Sequence, residues 1–113
     1  MTDLEQLSRD AAGCLPEELQ ITGELPGTAN ERVRPWRDAW LHESTEACAE
    51  IMVRVLWPKR IVVGGYQETV KAIQYSDDGQ PFVLVCELIE GDPVRALRTV
   101  TLRALVAMKR KQT

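Results

Sequence analysis

An α+β fold is predicted for the back half of this chain, with a small antiparallel sheet packed against helices in the order α-β-β-α. Three observations predict it. Cys48, Ile51, Met52, Val55 and Leu56 recur at helical spacing. Two runs rich in β-formers flank Ser76-Asp77-Asp78-Gly79, where Asp-Gly supplies hairpin turn chemistry. Glu90-Gly91-Asp92-Pro93 then opens a second amphipathic helix. A length of 113 residues suits a single domain. Within it, residues 1–43 read as a short helix plus an irregular, Trp-bearing segment, and residues 44–111 as the compact core.

The elements follow in order. Asp3 to Ala12 suits a short helix, with Leu4, Leu7 and Ala11 on one face and Gly13 and Pro16 ending it. From Leu15 to Leu41 the prolines and glycines leave no regular pattern, and Gly23-Glu24-Leu25-Pro26-Gly27 reads as turns. Such a stretch is expected to be a flexible linker or a long binding loop. Trp36 and Trp40 lie at its end, four residues apart and able to share one helical face.

Ser44-Thr45 starts the next helix, since a hydroxyl there can accept a bond from an orphan N–H. Trp57-Pro58 stops it, because the residue before proline avoids the helical region. Ile61-Val62-Val63 reads as a short strand ended by Gly64-Gly65, and Tyr66 to Tyr75 as a single strand. Pro81 to Ile89 forms the next strand. Phe82, Leu84, Cys86 and Leu88 point one way, and Val83, Val85, Glu87 and Ile89 the other. Both faces are mostly apolar, which predicts a strand covered on both sides or paired centrally. In the last helix Asp92 caps, Pro93 takes the first position, and Val94, Leu97, Thr101, Ala104, Leu105 and Met108 mark the buried stripe to about Lys111.

No apolar run approaches the roughly 20 residues that span a bilayer, so no membrane association is expected. The Met1-Thr2-Asp3-Leu4-Glu5 start lacks the basic and apolar regions of an export signal, which predicts a cytoplasmic protein. Cys14, Cys48 and Cys86 are then reduced thiols. The net charge is -3, but it is divided unevenly. Residues 1–50 carry 11 acidic and 4 basic side chains, and residues 51–113 carry 6 and 10.

The helix at Ser44-Thr45-Glu46-Ala47, the hairpin, and a final helix opening Gly91-Asp92-Pro93-Val94-Arg95-Ala96-Leu97-Arg98 and containing Ala104-Leu105-Val106-Ala107 resemble the small phage "ABA sandwich" domains over residues 40–110. That resemblance implies a short accessory protein of phage or prophage origin, working in a bacterial host. It implies no catalytic residue.

The chemistry-bearing residues are sparse. Cys14, His42, Cys48 and Cys86 make up a ligand set that zinc accepts, but they lack the close pairs of a structural site, so no metal is expected. Glu46 and Glu50 flank Cys48 and would raise a thiol pKa, which argues against a nucleophile. Gly64-Gly65 lacks the further glycines and the Lys-Ser/Thr of a phosphate loop, so no cofactor is expected. The reading is therefore of no enzyme and no catalytic residue. Trp36, Trp40 and Trp57 are candidate anchors for a protein partner or a second copy of the chain. The alternative is a small nucleic-acid-binding regulator using Arg95, Arg98, Arg103 and Arg110 as a basic face. The α-β-β-α order also resembles the double-stranded-RNA-binding domain. That fold wants lysines at the start of its last helix, where this chain has Asp92-Pro93-Val94.

Overall fold

The computed structural model describes residues 3–15 and 41–112. The expectations for residues 16–40, including Trp36 and Trp40, lie outside the described residues. Helix α1 is Asp3–Gly13, and a 3-10 turn spans Leu41–Glu43. Helix α2 is Thr45–Ile51, β1 is Ile61–Tyr66, β2 is Thr69–Tyr75, β3 is Pro81–Leu88 and α3 is Pro93–Gln112. The three strands form one antiparallel sheet in the order β1-β2-β3. The chain is therefore α+β, with the C-terminal helix packed on a three-stranded sheet.

Helix α2 starts as its sequence predicts. Ser44 is the N-cap, and its hydroxyl accepts the Ala47 N–H at 3.1 Å. The helix then widens into a π turn at Met52–Leu56, with Trp57 N–H donating to Met52 C=O. A 3-10 turn at Trp57–Lys59 ends it, and Arg60 reverses the chain at φ 62. The Arg60 guanidinium donates to Asp77 Oδ1 at 2.8 Å, linking the start of β1 to the β2–β3 turn. In that turn Gly79 sits at φ 83 and its N–H donates to Ser76 C=O, as Asp-Gly chemistry predicts.

The strands around Gly64-Gly65 differ from expectation. β1 runs through both glycines to Tyr66, and the chain reverses at Gln67-Glu68 instead. What reads as one strand from Tyr66 to Tyr75 is the end of β1, a two-residue turn, and β2. Gln67 supplies the left-handed turn conformation, at φ 57, that glycine or asparagine usually supplies.

The register sorts the sheet into two faces. The rows Ile61–Gln74–Phe82, Val63–Ala72–Val85 and Gly65–Val70–Glu87 lie on the helix side. The rows Val62–Ile73–Val83, Gly64–Lys71–Cys86 and Tyr66–Thr69–Leu88 lie on the outer side. A bulge between Ala72 and Ile73 adds Leu84 to β3. Side-chain alternation therefore shifts there, and Leu84 packs against the core while Val83 stays outside. Among the described residues, β3 is neither central nor covered on both faces. It is an edge strand, because β2 takes the middle by pairing with both neighbours.

Asp92 Oδ1 accepts the N–H groups of Val94 and Arg95, and this caps α3. Helix α3 is buried more broadly than its predicted stripe. Val100 and Leu102 are fully buried alongside the predicted Thr101, because the sheet, α1 and α2 all pack on it. Val94, predicted inside, is exposed in the first turn. The core joins Leu41, Ile51, Leu56, Ile61, Val70, Leu102 and Leu105 across all these elements.

Candidate functional site

The arrangement closest to a catalytic one joins α1 to the 3-10 turn. Ser8 Oγ lies 2.8 Å from His42 Nδ1, and His42 Nε2 lies 3.7 Å from a Glu43 carboxylate oxygen. A serine, a histidine and a carboxylate in sequence invite comparison with a hydrolytic triad. The surroundings point to a tether. Ser8 is fully buried, and its oxygen also accepts the His42 backbone N–H at 2.9 Å. Neither residue lines any of the surface hollows described below. The pair thus joins two elements far apart in sequence.

Arg98 of α3 completes this tether. Its Nε donates to His42 C=O at 2.9 Å, and a terminal N–H donates to Thr45 Oγ1 at 3.0 Å. The other candidate arginines are also engaged. Arg103 pairs with Glu87 of β3. Arg95 and Arg103 share a hollow with Glu87, Glu90 and Asp92, which offset their charge. Arg110 lines a groove of about 670 Å³ between α1, β3 and α3, together with Asp10, Leu7, Phe82 and Val106. Arg98 therefore faces inward to a clamp, and Arg95 and Arg103 sit among acids.

The thiols separate cleanly. Cys48 is buried and donates its S–H to Leu41 C=O at 3.4 Å. Burial pushes its pKa up to about 12, with Arg98 only partly opposing the shift. Below pH 9, the ordinary thiol value, both folded and unfolded chains hold this proton. Above it the unfolded thiol ionises and the folded one does not. Stability is therefore expected to fall by about 1.4 kcal/mol per pH unit between pH 9 and 12 on this account. Denaturant melts of wild type and Cys48→Ala across that range check this, the variant showing the shallower slope. Cys86 is exposed on the outer face, and Cys14 is half-buried. Among the described residues no group of three or more His, Cys, Asp and Glu side chains is arranged to hold a metal ion.

Among the described residues, the outer sheet face carries a group of exposed apolar side chains. Val62, Tyr66, Val83 and Leu88 are 48% to 65% exposed on it. Lys71 lies among them with its Nζ 5.2 Å from the Tyr66 ring centre, over space that Gly64 leaves open. Trp57 is exposed just before β1. The sequence signal for this face was the apolar character of both sides of β3. No described helix is long and apolar enough to cross a membrane. Comparison of the chain with family models, with curated proteins and with solved structures gave no match.

Proposed function

We propose that this chain is a non-enzymatic protein-interaction module, an accessory protein of the phage or prophage kind its resemblance implies, and that the outer face of its sheet receives the partner. The observation that carries this reading is the exposure of Val62 and Val83 in one row and of Tyr66 and Leu88 in another, on either side of Lys71, on a sheet whose other face is covered by helix. Exposed apolar surface on a small domain costs free energy in water, and association relieves it. Tyr66 adds an aromatic side chain of the type enriched at interface centres, and Trp57 is a second anchor near the start of β1.

Nucleic-acid binding has less support. Arg98 is spent on His42 and Thr45, and Arg103 on Glu87. A tagged pull-down from bacterial lysate, with and without nuclease, tests both readings. Val62→Lys and Tyr66→Lys are expected to reduce recovery of a stoichiometric protein partner by about tenfold or more while the melting curve is unchanged. Undiminished recovery by both folded variants overturns the outer-face reading. Nucleic acid recovered without nuclease, and no protein with it, moves the function to α3.

A further inference from the structure

Lys71 is the one charged residue in the three outer rows of the sheet, and it occupies their centre. It lies on the middle strand and in the middle row, between Gly64 and Cys86. It is half-buried, its ammonium lies over the Tyr66 ring, and it forms no ion pair with a described residue. Gly64 has no side chain, and a Cβ there would meet nothing within 4 Å. The Lys71 row is therefore low ground between the Val62–Ile73–Val83 row and the Tyr66–Thr69–Leu88 row. A partner that covers these rows takes the ammonium out of water, where an unpaired charge is costly. A second copy stacked face to face makes this worse. Because Lys71 is central, a two-fold stack brings two ammonium groups together. No residue of the three rows is acidic, so neither copy's rows supply the counter-charge.

We infer, as a step that rests on the outer-face reading above, that the partner is an amphipathic helix of another protein whose apolar stripe holds a carboxylate for Lys71. A helix suits the dimensions. Three strands about 4.8 Å apart span roughly the diameter of one helix, and α3 already covers the other side of the same sheet. Along β1 and β2 the two apolar rows are four residues apart. That is about 13 Å, or about eight or nine residues of helix. The stripe therefore has apolar residues at its two ends and Asp or Glu midway, all at helical spacing. The carboxylate enters the low ground at Gly64 and accepts a charge-assisted hydrogen bond from the Lys71 ammonium.

Three synthetic peptides test this by titration calorimetry with the full chain. Each is about 18 residues long, enough to hold a helix, with a leucine stripe whose central position is Glu, Gln or Lys. The Glu peptide is expected to bind about tenfold or more tighter than the Gln peptide, and the Lys peptide most weakly. The net charge of -3 favours the opposite order, so bulk electrostatics cannot produce this one. Lys71→Glu is expected to invert the Glu and Lys peptides, and Leu88→Thr to weaken all three, both with unchanged melting curves. Equal affinities across the three peptides, or no binding of the Glu peptide at millimolar concentration, overturn the inference. A preference for Glu that persists in Lys71→Glu, or binding untouched by Leu88→Thr, also overturns it. Two further results give the face to another occupant and overturn the helix. One is a dimer in sedimentation runs that Leu88→Thr weakens. The other is co-sedimentation with anionic phospholipid vesicles that Leu88→Thr weakens. The outer-face reading is decided separately, by Val62→Lys and Tyr66→Lys in the pull-down, and it survives a peptide series that ignores Lys71.

Discussion

Leu105→Ala and Ile51→Ala are each expected to destabilise the chain by about 2–5 kcal/mol, the range for truncating a large side chain inside a packed core. Both residues are fully buried, on helices that reach the core from different directions. The cost has two parts. Removing the side-chain carbons loses their transfer out of water, and the cavity left behind loses contact with the neighbours. Leu105 sits toward the C-terminal half of α3, with Ala104 and Met108 also buried beside it in sequence. Ile51 sits where α2 widens into its π turn. Urea melts read the change as a shift in midpoint at constant slope. A change below about 0.5 kcal/mol at both positions rules out this core.

The second large effect belongs to the clamp of Ser8, His42, Arg98 and Thr45. Arg98→Ala removes two charge-assisted hydrogen bonds and leaves His42 C=O without that donor, at a cost of about 1.5–3 kcal/mol. Ser8→Ala leaves the His42 N–H facing a methyl group and costs about 1–3 kcal/mol. Both changes act on the same turn, so the double variant is expected to lose less than the sum of the two. The coupling should fall in the range of about 0.5–3 kcal/mol seen for residues sharing a network. Arg98→Lys does not restore the arrangement, because one ammonium cannot reproduce the guanidinium fork that bonds His42 and Thr45 together. Strict additivity would mean that Ser8 and Arg98 act on independent parts of the molecule. If Ser8→Ala instead left stability untouched, the buried hydroxyl would not be the tether described.

Local chemistry explains which elements were legible. The caps at Ser44 and Asp92 and the turn at Gly79 are visible in sequence, because each depends on residues within a few positions of one another. The Gln67-Glu68 hairpin was hidden, because neither residue advertises a left-handed turn, while Gly64-Gly65 advertises an ending that does not occur. The bulge at Leu84 was hidden too. It changes which residues of β3 face the helices, and nothing in the strand's composition marks it.

The sequence by itself determined the fold class, the helix starts, the β2–β3 turn and the apolar character of both faces of β3. These depend on backbone propensities and hydrogen bonds that close over short separations. The tertiary structure alone decided that β2 lies between β1 and β3, that Val62, Tyr66, Val83 and Leu88 are exposed on one face of the sheet, and that Arg98 turns inward. It also joined Ser8 to His42 across 34 positions of chain. The physical reason is the same in each case. Strand order and long-range side-chain bonds follow from which surfaces meet when the whole core is packed, and no local window of residues contains that information.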